Sequence, residues 1–128
     1  MAGEPVNLTE ALASFDQQWS PRIVQRVNDY DVRIAKIEGE HVWHVHEHTD
    51  EFFMVLDGVF EIALRGPDGE SSVHLGAGDT FVVPRGVQHR PTSPGASILM
   101  LEPSGTSTTG DRHDEIPDHV DSTSGHEL

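Results

Sequence analysis

The chain has 128 residues and a mass of 14.1 kDa, which is enough for one compact domain and too little for two of ordinary size. Its 22 acidic residues outnumber its 8 basic ones and give a net charge of −14, which argues against nucleic acid or an anionic membrane as a partner. The absence of cysteine excludes disulfides, thiolate catalysis and cysteine-ligated zinc sites. No apolar run approaches the ~20 residues of a membrane span, and the N-terminus lacks the features of a signal peptide, so we expect a cytoplasmic protein.

One helix is predicted near the N-terminus, over residues 7–19. Asn7 fits the N-cap position, Glu10 follows three residues later, and Pro21 ends the helix. The large apolar residues of this segment recur at helical spacing and would pack against a sheet: Leu8, Leu12, Phe15 and Trp19. We assign residues 1–21 to a helical lead-in.

From residue 22 the pattern changes to an alternation of apolar and polar residues, interrupted by turns rich in Gly, Pro and Asp. The predicted strands cover residues 22–27, 31–37, 42–48, 52–56, 59–64, 72–75, 80–83, 87–90 and 97–101. Asp57-Gly58 is typical of a type I′ turn and predicts a hairpin between the fourth and fifth of these strands. The fold class is therefore all-β, an antiparallel sandwich or barrel, with its domain at residues 22–103.

The C-terminal segment, residues 104–128, is polar and acidic and has few large apolar residues. Its composition predicts disorder. An ordered tail would therefore have to lie against the barrel or against a neighbouring subunit. A chelate formed by its histidines is the alternative to a role without a metal, which is the commoner one for spaced histidines in such a segment: His113, His119 and His126.

Four residues of the central region have the chemistry of a metal site. His44 and His46 are two residues apart, so on a strand both imidazoles lie on one face. Glu51 follows after a short turn, and an adjacent antiparallel strand would bring it to the pair. His89 lies far along the chain. Three imidazoles and one carboxylate suit a divalent transition metal, whether Fe, Mn, Ni, Zn, Co or Cu.

Two motifs around these residues resemble those of the cupin superfamily. The first is a glycine, an HxH pair, a glutamate and a second glycine, found here as Gly39, His44, His46, Glu51 and Gly58. The second, G(x)5PxGxxH, runs from Gly78 to His89. Two departures are small: Gly39 stands one residue closer to the HxH pair than usual, and Ser93 replaces a frequent Asn. The resemblance covers roughly residues 35–102 and implies a small bacterial-type cupin, a jelly-roll β-barrel that holds a metal through His44, His46, Glu51 and His89.

Further residues are expected near this site. His48 shares the phase of His44, although the strand should end before it, and would be an alternative ligand or a neighbour of the ligands. Phe53 and Val55 share the phase of Glu51 and would line the interior. Arg85 would lie near the barrel mouth, where it could meet an anionic substrate, although a solvated turn residue is the commoner role of such an arginine. His41 is out of phase with His44 and is predicted at the surface, and His74 is predicted to be solvated or close to the ligands.

Some residues are expected to point to the outer face of the barrel, where a second copy of the chain could pack. Trp43, Phe52 and Met54 should point away from the ligands, and exposed aromatic residues there would mark a homodimer interface.

The function follows from the resemblance only in outline, because the cupin barrel carries many reactions. One hypothesis is a metal-dependent enzyme that acts on a small molecule, dioxygenase-like or similar to mannose-6-phosphate isomerase, with Glu51 as ligand and proton acceptor. The lack of a Lys or Arg cluster favours oxygen chemistry over a sugar phosphate. The alternative is a non-catalytic module that binds a small ligand through its metal, as a sensor or storage protein.

Overall fold

The structure is a computed structural model that describes residues 4–128, and most of it is β-strand. The described residues contain helix α1 (Leu8–Ala13) and nine strands. These are β1 (Arg22–Val27), β2 (Tyr30–Glu40), β3 (His44–Val45), β4 (Glu51–Gly66), β5 (Gly69–Gly76), β6 (Thr80–Val83), β7 (Gln88–Pro103), β8 (Arg112–His113) and β9 (His126–Glu127). The all-β prediction with one short N-terminal helix is confirmed. Within residues 4–128, no helix has the length and apolarity needed to cross a membrane.

The helix is shorter than predicted. Asn7 caps it as expected, since its side chain accepts a hydrogen bond from the backbone N–H of Glu10 at 2.9 Å. The helix ends at Ala13, however, and Trp19 has a left-handed backbone with φ of 52°. The backbone N–H of Trp19 donates to Lys36 O on β2 at 2.9 Å, so pairing with the sheet replaces the last helical turns. Prediction of a helix to residue 19 was therefore wrong, because a tertiary contact outweighed the local spacing.

The strands form one sheet in the order β5-β4-β7-β2-β1-β9. Three short strands lie off this path: β3 pairs with β7 and β8, and β6 pairs with β4. Two predicted strands, 87–90 and 97–101, are parts of the single long strand β7, which pairs with both β2 and β4. The predicted strand at 42–48 is reduced to His44–Val45.

The predicted hairpin at Asp57-Gly58 is wrong, because strand β4 continues through these two residues. Gly58 has φ of 81°, and a Cβ built on it would lie 2.2 Å from Gly95 O on β7. The glycine therefore permits close approach of two strands at an irregularity in their pairing. Phe53 and Phe60 lie on either side of this point, and their rings pack 5.3 Å apart in one core. Strand β4 thus bends across the barrel and supplies both halves of its interior.

The tail packs against the barrel. β8 pairs with β3, and β9 pairs in parallel with β1. Val120 is 6% exposed and belongs to the same core cluster as the barrel residues. The fully buried Arg33 donates to Thr106 O at 2.9 Å and pairs with Asp31 at 2.9 Å. Burial of a few apolar side chains and backbone pairing order a segment whose composition alone predicts disorder.

Candidate metal centre

Four predicted side chains come together inside the barrel. His44, His46, Glu51 and His89 are all buried, and their ligand atoms all lie within 4.8 Å of one another. The sheet produces this proximity, since His44 on β3 lies directly opposite His89 on β7. Glu51 is the first residue of β4, where the chain re-enters the sheet after the turn that follows His46.

Backbone carbonyls orient two of the imidazoles. Nδ1 of His44 donates to Val42 O at 2.8 Å, and Nδ1 of His89 donates to Val87 O at 3.0 Å. A carbonyl oxygen only accepts, so the proton of each neutral ring sits on Nδ1. The Nε2 lone pairs of both rings therefore remain available to an ion, as is usual for metal-binding histidines.

The Glu51 carboxylate lies between the rings of His46 and His89. Oε1 lies 2.9 Å from His89 Nε2, and Oε2 lies 3.2 Å from His46 Nε2. His46 Nε2 is nevertheless buried with no hydrogen-bond partner in the described part of the chain. A divalent ion would satisfy this nitrogen. Ligand atoms about 2.1 Å from one ion lie at most about 4.2 Å apart, so the four groups fit a transition metal after small movements.

Burial and mutual charge set the ionisation of this cluster. Burial lowers the pKa of His44 well below its usual value, which keeps the ring neutral and able to bind a metal. Burial by itself also lowers the pKa of His46, but the adjacent Glu51 outweighs it and raises that pKa. For Glu51 burial acts to raise the pKa, yet the imidazoles of His46 and His89 outweigh it and hold the carboxyl pKa well below its usual range. The cluster thus holds one carboxylate among three imidazoles.

A small cavity adjoins the cluster, and His44 and Glu51 form part of its lining. It encloses about 30 Å³, which is room for about two water molecules. Its apolar wall includes Trp19, Ile37, Phe53, Phe60, Ile98 and Met100. Among the residues that the structure describes, its other polar lining groups are His41, Glu102 and Thr108, and neither Lys nor Arg lines it.

Comparison with known proteins places this architecture in a family. The sequence profile of the cupin-2 family, described as the cupin domain, matches residues 30–114, more than half of the chain. The chain belongs to the cupin family. A cupin-2 domain protein from Shewanella frigidimarina is 39% identical and has a TM-score of 0.72, over 77% of this cupin and 93% of that chain.

Two further proteins show more limited likeness to this cupin. YdbB from Bacillus subtilis is 41% identical over 70 residues, which are 55% of this cupin and 59% of YdbB, less than two thirds of the relative's length. Hydroquinone 1,2-dioxygenase from Sphingomonas sp. TTNP3, in complex with 4-nitrophenol, is 20% identical with a TM-score of 0.69. That match covers 80% of this cupin and 33% of the dioxygenase chain, and it shows a shared fold.

The other predicted site residues lie in different parts of the protein, some in the interior and some at the surface. Phe53 lines the cavity, and Val55 is buried in the core. His48 is exposed and outside the four-residue cluster. Arg85 is also exposed, and its Nε lies 3.3 Å from Asp50 Oδ1. The exposed His74 pairs with Glu61 at 3.4 Å.

His41 is misplaced by the sequence analysis, because it is 7% exposed and lines the cavity. Its ring lies 4.8 Å from that of His44 and 5.2 Å from that of Trp19. Burial lowers the pKa of His41 to about 4. The surface prediction assumed that residue 41 continues the strand of His44, but residues 41–43 are not strand, so strand phase does not apply to them. The sequence carried no local signal for this position.

Glu102 is a second cavity residue that the sequence analysis missed. It is 2% exposed, and burial, with the neighbouring Glu51 carboxylate, raises its pKa well above the usual range. Here a signal was present: Ile98, Met100 and Glu102 share one strand phase, and all three line the cavity.

One residue of the predicted dimer interface is not exposed on the outer face of the barrel. Trp43 is buried at 8% exposure, and the guanidinium groups of Arg65 and Arg90 lie over its ring at 3.8 and 5.2 Å. Arginines of the same chain therefore cover this aromatic ring, which is not exposed for a partner. Phe52 and Met54 remain half-buried.

Proposed function

We propose that this cupin is a metal-dependent enzyme acting on a small organic molecule, with dioxygenase-like chemistry as the leading class. One observation carries the proposal: three imidazoles and one carboxylate converge within 4.8 Å, all buried, beside an apolar cavity. Such a pocket, with a few convergent polar groups, is the usual setting of a small-molecule site.

The proposed roles follow from the contacts of each side chain. His44, His46, Glu51 and His89 would hold a divalent transition metal, of which Fe, Mn, Ni, Zn, Co and Cu all suit the donor set. When bound, such an ion supplies Lewis-acid activation of a substrate oxygen or redox chemistry with dioxygen. Glu51 would also accept a proton from the substrate if one of its oxygens is released from its histidine neighbour.

Oxygen chemistry is favoured over the sugar-isomerase alternative by the walls of the cavity. A sugar phosphate would need cationic or many polar partners, whereas no Lys or Arg lines the cavity within residues 4–128 and most of its lining is apolar. A hydroquinone 1,2-dioxygenase shares this fold over 33% of its chain. The exposed Arg85 is already paired with Asp50, so a substrate anion would have to compete with that carboxylate.

A non-catalytic metal-dependent binding or sensor module is the alternative function. It rests on the same four-residue cluster, because binding of a ligand through a metal requires no further catalytic group.

Assembly and location are proposals of the same kind. We propose a homodimer formed through the outer face of β4 and β6, where the half-buried Phe52 and Met54 lie beside the exposed Val82. The cytoplasmic location expected from the sequence stays a prediction.

Elemental analysis followed by activity assays tests the proposed function. The full chain is produced with each candidate metal in excess, and its metal content is measured after removal of unbound ions. Oxygen consumption with catechols, diketones and flavonols, beside a sugar-isomerase assay, then separates the enzyme from the binding module. An absence of bound metal under every condition contradicts the proposal. A bound metal without turnover supports the module instead.

A further inference from the structure

Glu102 is a buried carboxyl group in the wall of the cavity beside the four-residue cluster. It lies near the end of β7, and the residue opposite it on β2 is Asp31. No step of the proposed function uses it. A carboxyl group buried in a mostly apolar cavity is costly unless its oxygens find partners, so each of its contacts matters.

One oxygen of Glu102 lacks such a partner. Oε2 is buried without a hydrogen bond to any residue from 4 to 128. The closest cation is Arg33, whose Nη1 lies 3.9 Å from Oε2, which is too far for a hydrogen bond. That guanidinium is already engaged, because Nε and Nη2 donate to Asp31 and Nη1 donates to Thr106 O. Glu102 lines the cavity and keeps one oxygen that can accept a further hydrogen bond.

The surroundings define the chemistry of the missing partner. The cavity offers an anionic group no cationic side chain, because no Lys or Arg of the described chain lines it. A hydroxyl group can donate to Oε2 whether or not Glu102 is ionised, because a carboxyl oxygen accepts in both forms. The room of about 30 Å³ admits only a small molecule or the hydroxyl-bearing end of a larger one.

We propose that Glu102 determines ligand specificity: its Oε2 accepts a hydrogen bond from a hydroxyl group of a small neutral molecule bound in the cavity. The inference rests on the proposed function, since the same molecule would lie beside the metal held by the neighbouring cluster.

Binding of two matched probes to the full chain loaded with cobalt(II) tests the inference. Hydroxyacetone carries the hydroxyl group and acetone lacks it. Binding is followed through the cobalt absorption spectrum and through tryptophan fluorescence, since Trp19 lines the cavity. We expect the wild type to bind hydroxyacetone about tenfold more tightly than acetone, a difference of about 1.4 kcal/mol.

Three variants assign this preference to one residue. Glu102→Gln keeps a carbonyl acceptor and should retain most of the preference, whereas Glu102→Met should reduce it to less than about twofold. Met100→Leu reshapes the same wall without changing its polarity and should alter both affinities by the same factor. An unchanged tenfold preference in Glu102→Met would overturn the inference.

A crystal structure of the wild-type complex with hydroxyacetone gives a test that does not depend on the folding of a variant. The ligand hydroxyl should lie about 2.5–3.0 Å from the Glu102 carboxyl group. A fixed water that bridges Arg33 and Glu102, with the hydroxyl elsewhere, contradicts the inference. Cobalt content separates the two proposals: full loading with equal affinity for both probes overturns only the role of Glu102, whereas failure to load overturns the proposed function and this role with it.

Discussion

Oε1 of Glu51 lies 2.9 Å from Nε2 of His89, although 38 positions separate the two residues in sequence. Pairing of β7 with β3 and β4 makes this contact, because it brings His89 opposite His44 and beside the start of β4. The local turn after His46 brings Glu51 back to the HxH pair. The cluster is therefore held by the same sheet hydrogen bonds that hold the barrel together.

Removal of one cluster histidine should strip most of the metal affinity. His46→Ala deletes a buried nitrogen that has no hydrogen-bond partner in residues 4–128, so the ion loses a ligand. We expect metal affinity to fall by at least about 100-fold. Loss of a residue that only hydrogen-bonds to a metal ligand already costs up to about 100-fold, and loss of a ligand should cost at least as much. His119→Ala in the tail is the control and should keep full metal content. Metal retained by His46→Ala, measured by elemental analysis, contradicts the proposed ligand set.

Acid should destabilise the metal-free protein through His41. Its pKa is about 4 in the folded protein and about 6.5 when unfolded. Between these values the unfolded chain binds more protons, so the stability from the neutral buried ring is present above pH 6.5 and is lost as the pH falls towards 4. Between pH 7 and pH 5 this loss is about 2 kcal/mol.

Urea unfolding of His41→Gln in the presence of a chelator measures that loss. The variant should lose about 2 kcal/mol less stability than the wild type between pH 7 and pH 5. His74→Gln, which alters an exposed histidine paired with Glu61, should follow the wild type. If the stability of the wild type and of His41→Gln depends equally on pH, the pKa of His41 does not differ between the folded and unfolded states, and the prediction is wrong.

The close approach at Gly58 predicts a large stability effect. In Gly58→Ala the new Cβ would lie 2.2 Å from Gly95 O, and the backbone would also be strained at φ of 81°. Gly78→Ala is a matched control, because φ there is 89° but nothing lies within 4 Å of the added Cβ. We expect the control to cost about 1–3 kcal/mol from strain alone, and Gly58→Ala to cost at least about 2 kcal/mol more. Thermal or urea unfolding that gives equal losses contradicts the steric account.

Packing of the tail can be tested with one substitution at two sites. Val120→Ala removes methyl groups from the barrel core and should cost about 1–3 kcal/mol. Val27→Ala makes the same chemical change at a residue that is 57% exposed and should stay within about 0.5 kcal/mol of the wild type. Similar unfolding free energies for the two variants would mean that the tail does not contribute to the core in solution.

The proposed homodimer should depend on the outer face of β4 and β6. Val82→Asp places a charge beside Phe52 on that face and should convert the dimer to a 14.1 kDa monomer. Val59→Asp is the control, since Val59 is similarly exposed and lies on β4 outside its pairing with β6. Light scattering coupled to size exclusion gives the masses. A monomeric wild type contradicts the dimer, and a dimer that survives Val82→Asp contradicts this face.

Local spacing predicted part of the cluster. His44 and His46 share a face by strand geometry and Glu51 follows after one turn, whereas His89 was assigned to the cluster through the resemblance of residues 78–89 to the second cupin motif. Strand alternation likewise predicted that Phe53 faces the interior, which its place in the cavity wall bears out. These features depend on neighbours in sequence, and such patterns determine them directly.

The remaining features depend on contacts between distant segments, which no local pattern records. Pairing of Trp19 with Lys36 ended the helix early, and contact of Gly58 with Gly95 turned a predicted hairpin into a bend within one strand. His41 was buried by Trp19 and His44, although nothing in the neighbouring sequence marks it. The sequence by itself determined the donor set and the strand-rich architecture. The tertiary structure decided how β4 bends, what orders the tail and which polar groups share the cavity, because burial depends on segments that meet only after the sheet has closed around them.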